Sequence, residues 1–342
     1  MTRMNLHSIS TTIENHFCTP ISAIHAINTT PCFLLESADH TKTIGQYSLI
    51  GLNPIATVIG RPNELHININ NTSSILIGNP LNTLSEWIAQ LTHQHTGDTL
   101  PIQNGCFGYF AWDCITCIEN IPIKSSQNDI FHFFIPQTLL IFDHINQTLS
   151  GCSSAINQSP NLNHVHTLFD VLKESSTSIH SHQQQHNDPN KSNKFSSDIT
   201  PLNWDAVTSN MSADQFKTAV NTVKRHIIEG DIFQGVISQK FSVKKTIPPL
   251  QVYESLRAIN PSPYMFYFDY GDKQLIGASP EILVKTNNNT ATLRPIAGTR
   301  RRTFKNEAAL IEDLTSDQKE IAEHIMLVDL GRNDLGRVCN FN

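Results

Sequence analysis

The pattern of apolar and polar positions changes period along the chain, and the changes mark its elements. Over residues 1–150 short apolar runs broken by Gly, Pro and Asn predict mixed α and β structure in which strands dominate. Pro31–Ser37 is an apolar run with a polar end. Tyr47–Pro54 and Ala56–Gly60 read as two strands parted by a turn at the proline. Leu65–Ile77 alternates on either side of Asn70-Asn71, which predicts a hairpin, because Asn tolerates the left-handed backbone that a tight turn demands. Leu84, Trp87, Ile88 and Leu91 share one side of a helix over 81–91. The Gly-punctuated run 105–109 fits a buried place where backbones approach closely.

A helix over 164–173 precedes a loss of pattern. Residues 174–200 are rich in Ser, His, Gln and Asn and carry almost no large apolar side chains. Such a segment buries too little surface to offset its ordering entropy, so 174–202 reads as a flexible linker. His180, His182 and His186 within it have no fixed geometry with which to hold a metal.

Helical period returns after Asn203. Ser212 and Gln215 form a capping box, and Met211 can staple against Phe216. The stripe Phe216, Val220, Val223, Ile227 then runs to a closing Gly230. Residues 231–243 alternate as a strand, which places Gln234 just after a tight helix-to-strand turn. A helix over 252–259 and strands over 264–270, 274–277, 282–286 and 290–296 follow. A helix over 305–314 leads to Asp317–Val338. There Asp317 and Glu320 fit a capping box, Ile321, Ile325 and Val328 form an apolar stripe suited to a core, and Gly331 fits a C-cap. Glu320 and Glu323 share another stripe, one turn apart. Two such carboxylates suit a hard cation also held by its substrate, but surface charge is common and from this stretch alone a solvated acidic face is the more ordinary reading. Gly298-Thr299 beside Arg300-Arg301-Arg302 reads as a solvated basic patch or as a loop whose amides hold an anion.

Composition narrows the class. The 342 residues allow a large core and more than one domain, and a formal net charge of −6 gives no electrostatic reason to bind nucleic acid or an anionic membrane. Seven scattered cysteines do not make a secreted disulfide framework, and the lone Cys114-x-x-Cys117 lacks the second pair a zinc site wants. The N-terminus has no apolar signal-peptide core, and the apolar run 131–142 is too short and interrupted to span a bilayer. A cytoplasmic protein with no membrane association is the expectation.

Five ordered motifs carry a resemblance: GDIFQGVISQ (230–239), NPSPYMF (260–266), GASPE (277–281), PIAGTR (295–300) and DQKEIAEHIMLVDLGRNDLGRV (317–338). They resemble the chorismate-utilising enzymes, and most of all the large subunit of anthranilate synthase. LLES (34–37) and YSLIGLNP (47–54) resemble that subunit's N-terminal region. The resemblance implies an α/β fold of the α+β type, with layered antiparallel sheets and outer helices. It also implies three regions: an N-terminal region 1–173, the linker 174–202, and the first part of a chorismate-binding catalytic domain at 203–342.

What it implies for chemistry falls on particular residues. Glu320 and Glu323 resemble half of a Mg²⁺ site, Glu281 the general acid that protonates the departing C4 hydroxyl, and Gly298 and Thr299 the loop that holds a substrate carboxylate. The implied reaction converts chorismate and ammonia to anthranilate and pyruvate in tryptophan biosynthesis, with ammonia supplied from glutamine by an amidotransferase subunit, component II. Gln234 stands where water-using relatives carry a general-base Lys. Ala297 stands where many aminodeoxychorismate synthases carry a nucleophilic Lys. Both favour amination at C2 over the alternative, aminodeoxychorismate synthase component I. Glu36, Ser37, Asn260, Pro263, Tyr264 and Met265 resemble a feedback site for L-tryptophan, although Gln46 replaces the Arg expected before YSLIG. The family's catalytic His, GTLSGAPK-like loop, Tyr-Gly-Gly segment and second carboxylate set do not occur in 1–342. The chain is therefore expected to be incomplete at its C-terminus, and an inactive truncated remnant is a further alternative.

Overall fold

A computed structural model describes residues 3–27, 29, 32–37, 45–121, 129–183, 204–244, 247–301 and 307–340, with the side chains of 177–183 excepted. Within the predicted linker, residues 184–202, with His186, lie outside the described residues, as do the side chains of His180 and His182 and all of Arg302.

In chain order the first elements are β1 (Met4–Glu14), α1 (Pro20–Ala26), β2 (Phe33–Glu36), β3 (Tyr47–Arg61), β4 (Glu64–Ile69) and β5 (Thr72–Ile77). Next come α2 (Pro80–Ile88), β6 (Leu91–Gly97), β7 (Phe107–Phe110), β8 (Phe131–Asp143), β9 (Thr148–Ile156) and α3 (Asn163–Gln183). The remainder is β10 (Thr208–Ser209), α4 (Ala213–Glu229), β11 (Phe241–Ser242), α5 (Pro249–Ile259), β12 (Tyr264–Asp269), β13 (Gln274–Ser279), β14 (Lys285–Asn287), β15 (Thr290–Thr292), α6 (Glu307–Ser316) and α7 (Gln318–Gly336). The chain divides into two compact units, Met1–Ser181 with Tyr253–Asn342, and His182–Val252.

The first unit is built on an 11-stranded sheet in the order β13-β12-β2-β3-β8-β9-β1-β6, with the β4-β5 hairpin on β3 and β7 on β8. Its pairings are antiparallel except β1 with β6, which run parallel. Alternation along the long central strands sorts side chains into two apolar clusters. Val58, Leu65, Trp87, Phe131 and Ile135 form one, and Phe33, Leu139, Ile141, Cys152 and Phe268 form the other. Each fully buried side chain of this size contributes about 1.5–3 kcal/mol. Cross-strand glycine–phenylalanine pairs fill the sheet face. A Cβ at Gly51 would lie 2.1 Å from Phe33 and one at Gly60 would lie 2.4 Å from Phe131, so only glycine leaves room for the rings.

Several sequence expectations change here. The proline turn between two strands is instead an irregularity inside the single strand β3, where Pro54 faces Pro136 and the register shifts before Ala56. Neither proline has an N–H to donate, so the ladder is interrupted there, where the register shifts. Residues 231–240 form no strand. Alternating side chains fix faces but do not supply a ladder partner, and only Phe241–Ser242 finds one, in β10. Helix α7 runs through Gly331, which does not adopt the left-handed backbone of a C-cap. A Cβ at Gly331 would instead lie 3.0 Å from Leu293. Asp317 caps the helix with bonds to the Lys319 and Glu320 amides, while Ile321, Ile325 and Val328 are exposed rather than facing a core. Helix α3 extends to Gln183, ten residues beyond the predicted end. No helix among the described residues is long and apolar enough to cross a membrane.

In the second unit, Ser212 and Gln215 form the expected capping box and Gly230 closes α4 in the left-handed region (φ 83°). The stripe Phe216, Val220, Val223 and Ile227 lines a small groove of about 170 Å³ with Gly235 and Ile237.

Candidate active site

The loop 295–300 is the point at which the predicted residues meet. It leaves β15 and reaches Arg300 with Gly298 in the left-handed region (φ 68°). On one side, the Ile296 amide donates to Glu281 Oε1 at 3.1 Å. On the other, Gly298 packs so closely on α7 that an added Cβ would lie 2.6 Å from Glu320 Oε2. One short loop thus ties the SPE segment after β13 to the first turn of α7. Pro280-Glu281 is itself held by Ser279, whose hydroxyl donates to the Glu281 carbonyl at 3.0 Å.

Arg300 fixes the far end of the loop. Its guanidinium bonds Asp313 through Nε and Asp317 Oδ2 through Nη2 at 2.8 Å, and Nη1 lies 3.6 Å from Glu320 Oε1. Asp317 therefore serves twice, as helix cap and as partner of Arg300. The Glu320 and Lys319 amides and the guanidinium hold its carboxyl below the usual carboxylate range. The cap is legible in the sequence, but the second role is not.

Glu320 and Glu323 stand one turn apart on α7, the first more buried than the second. Both carboxylates reach one ammonium: Lys319 Nζ lies 3.6 Å from Glu320 Oε1 and 3.8 Å from Glu323 Oε2. Two carboxylates one turn apart could supply part, and only part, of the oxygen ligand set of a hard cation such as Mg²⁺. Among the described residues, no third His, Cys, Asp or Glu joins them in a possible ion-holding group; such a group is formed elsewhere, by His226, Glu229 and Asp231 at the end of α4. Gln234 belongs to the second compact unit, where it is exposed. Thr299 is exposed, and its carbonyl accepts from Arg300 Nη1 at 3.2 Å.

The residues read as an amino-acid site also come together in part. β2 pairs with β12 so that Glu36 stands opposite Met265, and both are buried. The Tyr253 hydroxyl donates to Glu36 Oε2 at 2.6 Å, and Arg257 Nε lies 3.2 Å from the same oxygen as an ion pair. Burial, then the adjacent carboxylate, push the Tyr253 phenol far above its usual range. Tyr253 and Arg257 were not singled out from the sequence, although their spacing of four on a predicted helix puts them on one face. Ser262 is buried, Pro263 and Tyr264 are half-buried, and Asn260 is exposed at the end of α5. Gln46 donates to Asp143 at 3.1 Å.

Residues 30–342 match the chorismate binding enzyme family, and the chain belongs to it. It is 38% identical to anthranilate synthase component 1 of Acetivibrio thermocellus, across 94% of this chain and 66% of that protein. It is 33% identical to aminodeoxychorismate synthase component 1 of Bacillus subtilis, across 90% of this chain and 63% of that one. The crystal structure of anthranilate synthase component I from Streptococcus pneumoniae TIGR4 superposes with a TM-score of 0.62 at 30% identity, covering 95% of this chain and 68% of that chain. The chain spans a little under two thirds of the length of the curated relatives it matches.

Proposed function

We propose that this chain carries the chorismate-aminating site of an anthranilate synthase large subunit. The observation that carries the reading is the loop 295–300, which joins Glu281 to Glu320 through the Ile296 amide and the close packing of Gly298. In this reading Gly298 and Thr299 hold a carboxylate of chorismate. Glu281 receives the Ile296 N–H at Oε1, which leaves Oε2 to carry the proton delivered to the departing C4 hydroxyl. Ammonia attacks C2, the hydroxyl leaves as water, and elimination of pyruvate gives anthranilate. Glu320 and Glu323 would hold Mg²⁺, which when bound supplies Lewis-acid stabilisation of charge on the substrate carboxylate.

The side chains at 234 and 297 support amination at C2. A carboxamide is not a general base, and ammonia needs none. Alanine cannot attack the ring. Ammonia would come from a glutamine amidotransferase partner, and L-tryptophan would act at Glu36, Ser37, Asn260, Pro263, Tyr264 and Met265. The similarity to an aminodeoxychorismate synthase keeps a second reading in view, in which ammonia is added at C4.

Chromatography of products from chorismate, Mg²⁺ and ¹⁵N-ammonium distinguishes the two. Labelled anthranilate with an equivalent of pyruvate is expected. Labelled 4-amino-4-deoxychorismate would establish the second reading, and failure to bind chorismate at all would overturn both.

A further inference from the structure

The large sheet ends at β6, which among the described residues pairs with β1 only. His93 and His95 stand two residues apart on this edge strand and so share a face of the sheet. Both rings converge on one atom. His93 Nε2 lies 2.9 Å and His95 Nδ1 lies 2.8 Å from the hydroxyl oxygen of Ser8 on β1. The ring centroids are 6.3 Å apart. Ser8 is only 2% exposed, whereas His95 is half-buried and His93 exposed, so the pair opens to solution through His93.

The surroundings fix the tautomer of His95. Its Nε2 lies 2.9 Å from the Asp98 carbonyl oxygen, which can only accept, so Nε2 carries the proton. The buried Ser10 hydroxyl donates to the same carbonyl at 2.8 Å and lies 3.2 Å from Nε2. Nδ1 therefore keeps its lone pair and accepts from Ser8, and His93 Nε2 donates to the Ser8 oxygen. An imidazole that gives its other N–H to a backbone carbonyl is oriented as metal-ligating histidines are. Burial, and after it the neighbouring His95 ring, lower the His93 pKa, which keeps that imidazole neutral at neutral pH. Moving its proton from Nε2 to Nδ1 frees a second lone pair aimed at the same point. Cys152, opposite Ser10 on β9, donates its thiol to the Gln103 carbonyl at 2.7 Å, and burial raises it to about 11, so no thiolate joins the set.

We propose that His93, His95 and the Ser8 hydroxyl bind one borderline divalent metal ion such as Zn²⁺, and that the ion clamps the edge strand β6 to β1. Two imidazoles suit such an ion, whereas Mg²⁺ wants a shell of oxygens. Bonds of about 2.0–2.1 Å to a tetrahedral ion set its ligand atoms about 3.3 Å apart, so each nitrogen parts from the Ser8 oxygen by only about half an ångström. Water fills the fourth position. The site shares no residue with the chorismate loop and does not rest on the reading of that loop.

The test is a calorimetric titration of Zn²⁺ into the full chain in excess Mg²⁺, on wild type, His93→Gln, His95→Gln and His226→Gln. The last variant removes the imidazole of the other possible ion-holding group, at the end of α4. His93→Gln and His95→Gln should each weaken the binding of one Zn²⁺ by about tenfold or more, and His226→Gln should leave that ion in place. Zn²⁺ should also raise the melting temperature of the wild type more than that of either edge-strand variant. Imidazole ¹⁵N spectra of the wild type should show Zn²⁺ on Nε2 of His93 and Nδ1 of His95, and they decide the matter even where a variant fails to fold. Zn²⁺ binding unchanged in His93→Gln and His95→Gln, complete displacement of Zn²⁺ by Mg²⁺, or no change at these two nitrogens would overturn the assignment.

Discussion

Replacing Gly298 with alanine perturbs the point where the loop meets α7. Two costs follow from the geometry. The backbone sits at φ 68°, a left-handed conformation that costs a residue with a Cβ about 1–2 kcal/mol. The added methyl would also lie 2.6 Å from Glu320 Oε2 and 3.1 Å from Leu314 Cδ1, so the carboxylate must move away. The backbone term alone corresponds to a loss of about five- to thirtyfold, at 1.36 kcal/mol for each factor of ten. Displacement of Glu320 adds to it. The assay is calorimetric titration of chorismate at fixed Mg²⁺, on wild type, Gly298→Ala, Glu320→Ala and the double variant. Removal of the carboxylate relieves the clash, so the double variant should lose less than the two single losses combined. Strict additivity, or wild-type affinity in Gly298→Ala, would refute the claim that loop and carboxylate form one site.

Other consequences concern stability and turnover. Tyr253→Phe takes a 2.6 Å hydrogen bond from the buried Glu36 carboxylate and should destabilise the fold by about 1–3 kcal/mol in urea unfolding. His132 is held neutral down to about pH 4, below its unfolded value near 6.5, so the unfolded chain binds the extra proton. Stability should therefore fall as pH drops from 6.5 to 4, by up to about 3 kcal/mol, and His132→Phe should flatten that slope. At the hairpin turn, Asn71 has φ 65°. Asn71→Ala should lower the melting temperature by an amount equivalent to about 1 kcal/mol, while Asn71→Gly should not. Glu281→Gln should abolish anthranilate formation and leave chorismate binding within a few-fold of wild type.

Local features were legible where one short stretch determines the outcome. Asn70-Asn71 adopts the left-handed turn between β4 and β5, and Ser212, Gln215 and Gly230 bound α4 as their chemistry requires. The loop 295–300 and Glu320 were read from motif, and the structure adds their contact. What the sequence could not show was long-range partnership. Period-two alternation says which side chains share a face but not which strand lies alongside. The parallel pairing of β1 with β6 and the pairing of β2 with β12 were therefore invisible, and with the latter the Tyr253–Glu36 bond across 217 residues. The same limit explains the misreading of 231–240 as a strand. On α7 the apolar stripe was correctly periodic, but period does not say whether anything covers it, and Ile325 is 60% exposed.

The most direct test of the account is a titration of Mn²⁺, as a paramagnetic substitute for Mg²⁺, followed by water-proton relaxation with and without chorismate. If Glu320 and Glu323 supply only part of the ligand set and the substrate completes it, chorismate should tighten Mn²⁺ binding, and Mn²⁺ should tighten chorismate binding by the same factor. Glu320→Gln and Glu323→Gln should each abolish that coupling. Mn²⁺ affinity that ignores chorismate, or coupling that survives both substitutions, would contradict the assignment of this helix face and its loop as the chorismate site.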